Sequence, residues 1–297
     1  MLRPLQLEDR EMLEEYLYAS SNFTCELAFA NLYLWRRETI PYWQIFHNHL
    51  YIIFTKENVA IPVFSSQDEP SPNEFTEFLQ QDELAGKHLA FYDVEADWVK
   101  RHEPELNSDF RMEPMPRDFS EYIYRIKSLY ELHGSKLAKK KNLIHQFHEN
   151  YSNISVEQVS PENLNCCLDL ADRWMQSLSS EEIDDSIRDE ADAIHDLPSL
   201  WGKFPMEGIL LKVDGYPVSF SVFSPISSQV WTEHFEKTDY RYKGASQYIN
   251  HVMAETLIGR VEFINREQDL GYAGMRQAKL SYNPEILLSN YFLHQKT

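Results

Sequence analysis

The sequence predicts an α/β (α+β) protein made of two successive units, each with a sheet flanked by helices. Its 297 residues are 43% hydrophobic and 13% aromatic, which is enough apolar material for two ordinary cores. Segments that alternate like strands lie between segments with helical periodicity. Because the same order of elements occurs on each side of about residue 150, we expect domains at 1–150 and 151–297.

The first unit reads as helices followed by strands. Helical patterns occupy residues 7–37, and the alternating residues 43–64 are interrupted by two polar turns, at 47–48 and 56–58. A polar loop over 65–73 leads to a helix at about 74–84. The segments HLAFYDV and EYIYRI predict two further strands, so that this unit closes near residue 150.

The second unit repeats that order. A helix is expected after Ser160 as its cap, and an Asp214-Gly215 pair predicts a tight hairpin. QVWTEHFEK is predicted as a strand, ASQYINHVMAETL as a helix, RVEFIN as a strand and MRQAKLSY as a helix. The acidic stretch over 184–196 is expected to be a solvated helix or loop.

Charge and cysteine content limit the function and the compartment. The formal charge of −19, from 28 basic and 47 acidic residues, argues against a protein that coats duplex DNA. Three cysteines without a CxxC motif are too few for a disulfide framework, so a reducing, cytoplasmic location is expected. No stretch predicts a signal peptide or a transmembrane segment.

A short turn motif, RYKGAS at 241–246, opens the helix that follows a strand. A glycine here permits close backbone approach, and the amides of a helix start attract phosphate. The motif resembles the pyrophosphate-binding turn of GCN5-related N-acyltransferases (GNAT), with Ser246 where that family has Gly or Ala. The resemblance implies that Arg241, Gly244, Ala245 and Ser246 bind coenzyme A. The alternative is an ordinary loop glycine before a helix.

Three longer segments extend the resemblance over nearly the whole chain. They are FANLYLWR at 29–36, DFSEYIYRIKSLYELHGSKLAKKKNLIHQF at 118–147 and NREQDLGYAGMRQAKLSYNP at 265–284. Together they resemble a bacterial family related to the catalytic domain of phosphatidylglycerol lysyltransferases. This resemblance implies two GNAT-like units in tandem, each with a mixed, largely antiparallel sheet, and an active site in the second unit.

Charged residues of both signs gather where the strand at 260–265 should pass into a helix. Asn265 and Arg266 are expected to contact substrate, and Glu267 and Asp269 to accept a proton from the acceptor. Arg276 and Lys279, three apart on one helix face, are expected to clamp an anionic acyl donor. The alternative is a salt-bridged surface loop.

Three further side chains are candidates for proton transfer. Tyr282 follows the same helix, and the GNAT resemblance implies that it protonates the leaving group; a partly buried aromatic is the alternative. Glu233 and His234 are other base candidates. Their side chains should point to opposite faces of a strand, so at most one is expected in a given cleft. We select Glu233, although a solvent-facing carboxylate is the alternative.

A cationic segment, GSKLAKKKN at 134–142, stands out in an acidic chain. A helix capped by Ser135 would bring its lysines together, and these are expected to bind substrate. They are Lys136, Lys139, Lys140 and Lys141. A nucleotide, a lipid headgroup or the acceptor end of a tRNA would each suit this patch, and a solvated helix face is the alternative. No metal site is expected.

The residues and the resemblance leave three functions open. The first is an acyl or aminoacyl transferase that uses a coenzyme A thioester or aminoacyl-tRNA as co-substrate and an amine or hydroxyl acceptor. The second is a binding module for an anionic ligand on a degenerate GNAT scaffold. The third is a peripheral enzyme that aminoacylates a phospholipid headgroup. None requires a tightly bound cofactor.

Overall fold

A computed structural model describes residues 1–19, 23–36, 39–65, 68–84 and 86–296. Parts of the predicted helical segment 7–37 and of the predicted loop 65–73 lie outside the described residues, namely 20–22, 37 and 66–67. The chain forms fourteen strands and ten α-helices over the described ranges.

The strands are β1 (Arg3–Pro4), β2 (Tyr42–Phe46), β3 (His49–Phe54), β4 (Val59–Pro62), β5 (Ala90–Val94), β6 (Phe110–Pro114), β7 (Glu121–Arg125), β8 (Ile154–Gln158), β9 (Glu207–Val213), β10 (Tyr216–Pro225), β11 (Val230–Thr238), β12 (Phe263–Asn265), β13 (Ile286–Leu288) and β14 (Tyr291–Gln295). The helices are α1 (Arg10–Tyr18), α2 (Phe29–Leu34), α3 (Pro72–Leu79), α4 (Ala96–Asp109), α5 (Ile126–Glu131), α6 (Ala138–Asn150), α7 (Leu164–Gln176), α8 (Asp185–Leu200), α9 (Ala245–Leu257) and α10 (Ala273–Leu280).

The strands form two seven-stranded sheets with helices around them. The first has the order β1-β2-β3-β4-β5-β14-β6, and the second has the order β13-β7-β12-β11-β10-β9-β8. The pairs β4 with β5 and β11 with β12 are parallel, while the other described pairs are antiparallel. The predicted fold class, two mixed and largely antiparallel sheets flanked by helices, is confirmed.

Two strands cross the predicted boundary at residue 150. The pattern assigns EYIYRI to the first unit, but β7 pairs with β12 and β13 in the second sheet. The last strand, β14, returns to the first sheet between β5 and β6. Such pairings join segments far apart in sequence, and strand periodicity carries no information about the partner. The sheets therefore do not divide the chain at residue 150, and the domain limits stay a prediction.

Local sequence signals predicted most element positions correctly, and the starts of two helices were exceptions. The Asp214-Gly215 hairpin joins β9 to β10 with φ angles of 51° and 77°, as a type I′ turn requires. Two expected caps are wrong. The lysine helix α6 begins at Ala138, after a turn that contains Ser135, and α7 begins at Leu164 with Asn163 as its N-cap. In both cases a turn precedes the first helical residue.

The predicted solvated stretch at 184–196 is a helix that is partly buried. Helix α8 begins at the expected acidic stretch, with Asp184 as a side-chain cap, and it buries Ala193, Ile194 and Leu197. These residues belong to a core cluster that also contains Leu13 of α1 and Leu210 of β9. This core cluster therefore contains elements from both the beginning and the second half of the chain. No helix in the described ranges is both long and apolar enough to cross a bilayer.

A buried acidic cluster lies where the 3₁₀ turn at residues 25–27 meets β7. The Glu121 carboxylate is 3% exposed and accepts hydrogen bonds from the Thr24 hydroxyl at 2.7 Å and the Cys25 amide at 2.8 Å. Burial raises the pKa of Glu121, and the nearby Asp93 raises it further. Burial and the charge of Glu121 raise the pKa of Glu26 to about 8.

This cluster predicts a loss of stability at alkaline pH. A carboxyl whose folded pKa exceeds its unfolded value of 4.5 adds stability that is complete below pH 4.5 and disappears as the pH rises through the folded pKa. We expect the free energy of unfolding to fall by about 2–4 kcal/mol between pH 5 and pH 9, since one pKa unit is about 1.4 kcal/mol. Urea unfolding at a series of pH values between 5 and 9 measures this change in the free energy of unfolding.

The substitution Glu26→Gln should flatten that profile, because the amide has no proton to lose. Glu103→Gln, on the exposed surface of α4, is the matched control and should leave the profile unchanged. A wild-type stability that rises from pH 5 to pH 9 would contradict this interpretation.

Candidate functional site

The second sheet opens at the carboxyl ends of its two parallel strands. Strands β11 and β12 pair only from Val230–Thr232 to Phe263–Asn265, although β11 continues to Thr238 beside β10. Beyond Asn265 the chain stays with β7, because the Arg266 amide donates to the Tyr122 carbonyl at 2.9 Å. The two strands therefore separate after Thr232 and Asn265, and we call this opening the strand split.

A β-bulge determines which side chains of β11 meet at the strand split. The register between β10 and β11 shifts at Val222/Phe223, which leaves His234 as the extra residue. Without it, Glu233 and Glu236 would lie on opposite faces of the strand. With it, both carboxylates reach the same guanidinium, that of Arg266.

Arg266 is the centre of a buried ion-pair network. Its side chain is 10% exposed; Nε donates to Glu233 at 2.5 Å, and Nη2 donates to Glu236. Each carboxylate also accepts a hydrogen bond from a serine hydroxyl. Ser221 donates to Glu233 at 2.6 Å, and Ser246 donates to Glu236 at 2.8 Å. Burial alone would lower the pKa of Arg266, but the two carboxylates raise it, so the guanidinium stays charged.

Glu236 and Lys279 have pKa values displaced toward neutrality. Burial raises the pKa of Glu236 even though Arg266 opposes the shift. Burial and the charge of Arg266 lower the pKa of Lys279 to about 8, and its ammonium donates to the Gln268 carbonyl. A carboxyl with a raised pKa beside an amine with a lowered pKa is suited to general acid-base catalysis.

Tyr282 and Lys140 bring α10 and the lysine helix α6 to the same network. The Lys140 ammonium lies 4.1 Å from the centre of the Tyr282 ring, and the Arg266 guanidinium carbon lies 5.4 Å from it. Burial lowers the pKa of Lys140, as do Arg266 and Lys139. Tyr282 is 5% exposed, and burial raises the pKa of its phenol. The Tyr282 ring therefore contacts both cations.

Glu267 and His234 lie on the other side of the strand. Thr232 donates to the Glu267 carboxylate at 3.2 Å, and His234 Nδ1 is 3.4 Å from the same oxygen. The other imidazole nitrogen, Nε2, lies 2.7 Å from the buried Ser224 hydroxyl. Glu233 and His234 thus point to opposite faces, as strand alternation predicts. Glu233 contacts Arg266, and His234 contacts Glu267. Asn265 is fully buried and donates to Glu121.

Asp269 and Arg276 hold the loop before α10 in place. The Asp269 carboxylate is fully buried and accepts hydrogen bonds from Tyr122 at 2.6 Å, Arg117 at 3.1 Å and Arg276 at 2.6 and 2.9 Å. Although burial would raise the pKa of Asp269, these donors lower it well below the usual range. A carboxylate with so low a pKa is a poor base, and Arg276 also pairs with Asp118 at 2.6 Å. This geometry favours a positioning role for both residues.

Arg276 and Lys279 share the face of α10 that contacts the loop 268–269, as their spacing predicts. Arg276 also borders an open groove of about 520 Å³, together with Gly271, Gln277 and Leu280. Leu280 is 47% exposed there. Arg276 therefore lies between the buried Asp269 carboxylate and this groove.

Several backbone amides of the turn RYKGAS donate hydrogen bonds within the protein. The Arg241 amide donates to the Asp239 carboxylate at 3.1 Å, the Lys243 amide donates to the Tyr151 hydroxyl at 3.2 Å, and the Ala245 amide donates to the Tyr242 carbonyl at 3.0 Å. The Arg241 guanidinium pairs with the same Asp239. The Arg241 and Lys243 amides are therefore already occupied and are not free to bind the pyrophosphate of coenzyme A.

Gly244 has a packing reason to be glycine. Its φ of +93° is unfavourable for other residues, and a Cβ there would lie 2.4 Å from the Leu143 carbonyl oxygen of α6. The glycine lets the start of α9 approach the lysine helix. Gly244 and Ser246 thus lie beside α6, and Ser246 is joined to Arg266 through Glu236.

Gly244→Ala is expected to lower the free energy of unfolding by about 3 kcal/mol, through backbone strain and a steric clash. Gly259→Ala is the matched control, because its φ of +78° is similar and its Cβ would meet nothing within 4 Å. Thermal unfolding of both variants separates the two causes. Equal losses would mean that the contact with α6 contributes nothing.

The profile of the family described as phosphatidylglycerol lysyltransferase, C-terminal, matches residues 18–294. The chain belongs to this family. The match spans the whole second sheet, the first sheet except β1 and the last residue of β14, and the Arg266 network.

Three solved structures resemble this chain over nearly its whole length. A conserved protein of unknown function from Bacteroides thetaiotaomicron is 25% identical, with a TM-score of 0.92 over 99% of each chain. L-PGS from Bacillus licheniformis is 15% identical, with a TM-score of 0.64 over 97% of this chain and 92% of that one. A tandem GNAT protein from the clavulanic acid biosynthesis pathway is 8% identical, with a TM-score of 0.50 over 99% and 98%. The family fold is thus a tandem GNAT-like fold.

Glu236 is the member of the network that sequence reasoning missed. WTEHFEK places carboxylates three apart on a strand, a spacing that normally separates them between two faces. The two carboxylates share a face only because of the bulge at His234, and no residue type in the segment predicts a bulge there. Among the predicted site residues, Glu233, Arg266, Ser246, Lys140, Lys279 and Tyr282 form the network or contact it. Arg241 lies in the turn before α9, whereas Lys136 donates to Asn283 at the end of α10.

Proposed function

We propose that this protein transfers an acyl or aminoacyl group from an activated donor to an amine or hydroxyl acceptor at the strand split. The observation that carries the proposal is Arg266, a buried cation that joins Glu233 and Glu236 where β11 and β12 separate. A fixed cation in a site of low dielectric stabilises the oxyanion that forms when a carbonyl is attacked. The lysyl transfer named for the family supports the same class of reaction.

The roles of the other residues follow from their pKa values. The acceptor nitrogen or oxygen forms a bond to the donor carbonyl carbon and passes its proton to Glu236. The bond between that carbon and the leaving oxygen or sulfur then breaks, and the leaving atom takes a proton from Lys279. This assigns to Lys279 the acid role expected of Tyr282, since the pKa of Lys279 is about 8 and that of Tyr282 is raised further from neutrality.

Aminoacyl-tRNA suits this site better than a coenzyme A thioester. The Asp239 carboxylate and the Tyr151 hydroxyl occupy amides of the turn that would hold a pyrophosphate. In contrast, α6 presents the exposed Lys139 and Lys141 next to Lys140, which reaches the network. Phosphates of an acceptor stem would neutralise these lysines and release counterions.

The experiment is a salt titration of binding to a charged tRNA minihelix. The slope of log affinity against log salt should decrease by about two for the double variant Lys139→Ala/Lys141→Ala, one for each phosphate contact. Lys87→Ala/Lys100→Ala, with both lysines exposed in the first half of the chain, is the matched control. Coenzyme A should not compete. An unchanged slope, or competition by coenzyme A, would overturn the assignment of the donor.

A further inference from the structure

A second cavity lies on the first sheet, outside the strand split. It has a volume of about 300 Å³ and lies between the end of α1, the start of β3 and the segment after β4. Polar and charged side chains line it together with apolar ones: Glu15, Tyr16, His49, Asp68, Leu50 and Val63. His49 is only 8% exposed, so a buried imidazole forms part of the wall.

Hydrogen bonds fix the orientation of His49. Its Nδ1 lies 2.9 Å from each oxygen of Glu74, which is 6% exposed and also accepts a hydrogen bond of 2.6 Å from the Tyr51 hydroxyl. An ionised carboxylate only accepts, so Nδ1 carries the proton. In the tautomer that this hydrogen bond selects, Nε2 is the acceptor nitrogen.

The Nε2 atom of His49 is buried and lacks a hydrogen-bond donor. Its charged neighbour is Asp68, whose Oδ2 lies 3.4 Å away and whose side chain is 63% exposed. In that tautomer Nε2 and the Asp68 carboxylate are two acceptors with no donor between them, and the buried Nε2 is unsatisfied. A group that carries both positive charge and several donors would satisfy both.

We propose that this cavity binds a short aliphatic primary ammonium ion. Its N–H donors would bond His49 Nε2 and the Asp68 carboxylate, with Glu15 adding negative charge, and its methylenes would lie against Leu50 and Val63. A metal ion fits less well, because no three His, Cys, Asp or Glu side chains in the described ranges are grouped to hold one. The site is separate from the proposed transfer chemistry.

The test is an NMR titration of the full chain, labelled with ¹⁵N at histidine, with n-butylammonium and its neutral counterpart n-butanol. At pH 7.5 the free protein should show His49 with an unprotonated Nε2, and n-butylammonium should shift that signal with saturation. Asp68→Asn should weaken binding at least tenfold. Glu69→Gln, the neighbouring carboxylate that pairs with Arg101, should change it less than twofold.

Two results would overturn the proposal. One is a free protein in which His49 is an imidazolium, because Asp68 and Glu74 would then already be paired with it. The other is a response to n-butylammonium that does not saturate or that equals the response to n-butanol. The Asp68 side chain is largely exposed, so folding of the variant is expected to be retained and either result is decisive.

Discussion

Replacing Arg266 by methionine is expected to lower the free energy of unfolding by about 3–5 kcal/mol and to abolish acyl transfer. The substitution leaves Glu233 and Glu236 as buried carboxylates without their cation, which is the costly way to break a buried ion pair. Urea unfolding at pH 7 measures the stability. The loss should shrink when the pH is lowered, because the carboxylates then bind protons.

Arg125→Met is the matched control for Arg266→Met. Arg125 pairs with Glu262 and Glu285 on the protein surface, where its side chain is 37% exposed. Exposed pairs of this kind contribute at most about 1 kcal/mol. If Arg266→Met costs no more than Arg125→Met, the network at the strand split is not the buried electrostatic centre described here.

Glu236→Gln is expected to reduce the rate of transfer at least 100-fold while the fold is kept. The amide oxygen can accept from Arg266 and Asn250, and the amide nitrogen can donate to the Ser246 hydroxyl, so the contacts of the carboxylate are largely replaced. What is lost is the capacity to take a proton. Single-turnover transfer and circular dichroism of the same preparation measure the two effects separately.

The pH dependence of the rate distinguishes the roles of Glu236 and Lys279. The wild-type rate should fall at low pH as Glu236 becomes protonated, and it should fall above about pH 8 as Lys279 loses its proton. Glu236→Gln should remove the acidic limb, and Lys279→Met the alkaline limb. Glu207→Gln, at a surface pair with Arg260, should leave the profile unchanged. A rate in Glu236→Gln equal to that of the wild type would contradict the base assignment.

The positions of single helices, strands and turns could be predicted from the local sequence. The Asp214-Gly215 turn, the helix 245–257 and the charged loop after Asn265 each have a short-range cause, and the structure has them at the expected places. The choice of partner strand has no short-range cause, which is why β7 was expected in the first unit but pairs in the second sheet, and why the return of β14 to the first sheet was not predicted. Tertiary contacts also altered individual roles. Gly244 is needed for helix packing, and Asp269 is saturated by donors that come from elsewhere in the chain.

Hydroxylamine offers the most direct measurement, because it is a small amine that accepts acyl groups without a dedicated binding site. The protein is mixed with hydroxylamine and either aminoacyl-tRNA or acetyl-coenzyme A, and the hydroxamate is quantified over time. The proposal predicts that the wild type forms aminoacyl hydroxamate faster than the uncatalysed reaction, that Glu236→Gln does not, and that acetyl-coenzyme A gives no acceleration. Formation at the uncatalysed rate with both donors would contradict a transferase at the strand split and leave a binding module in its place.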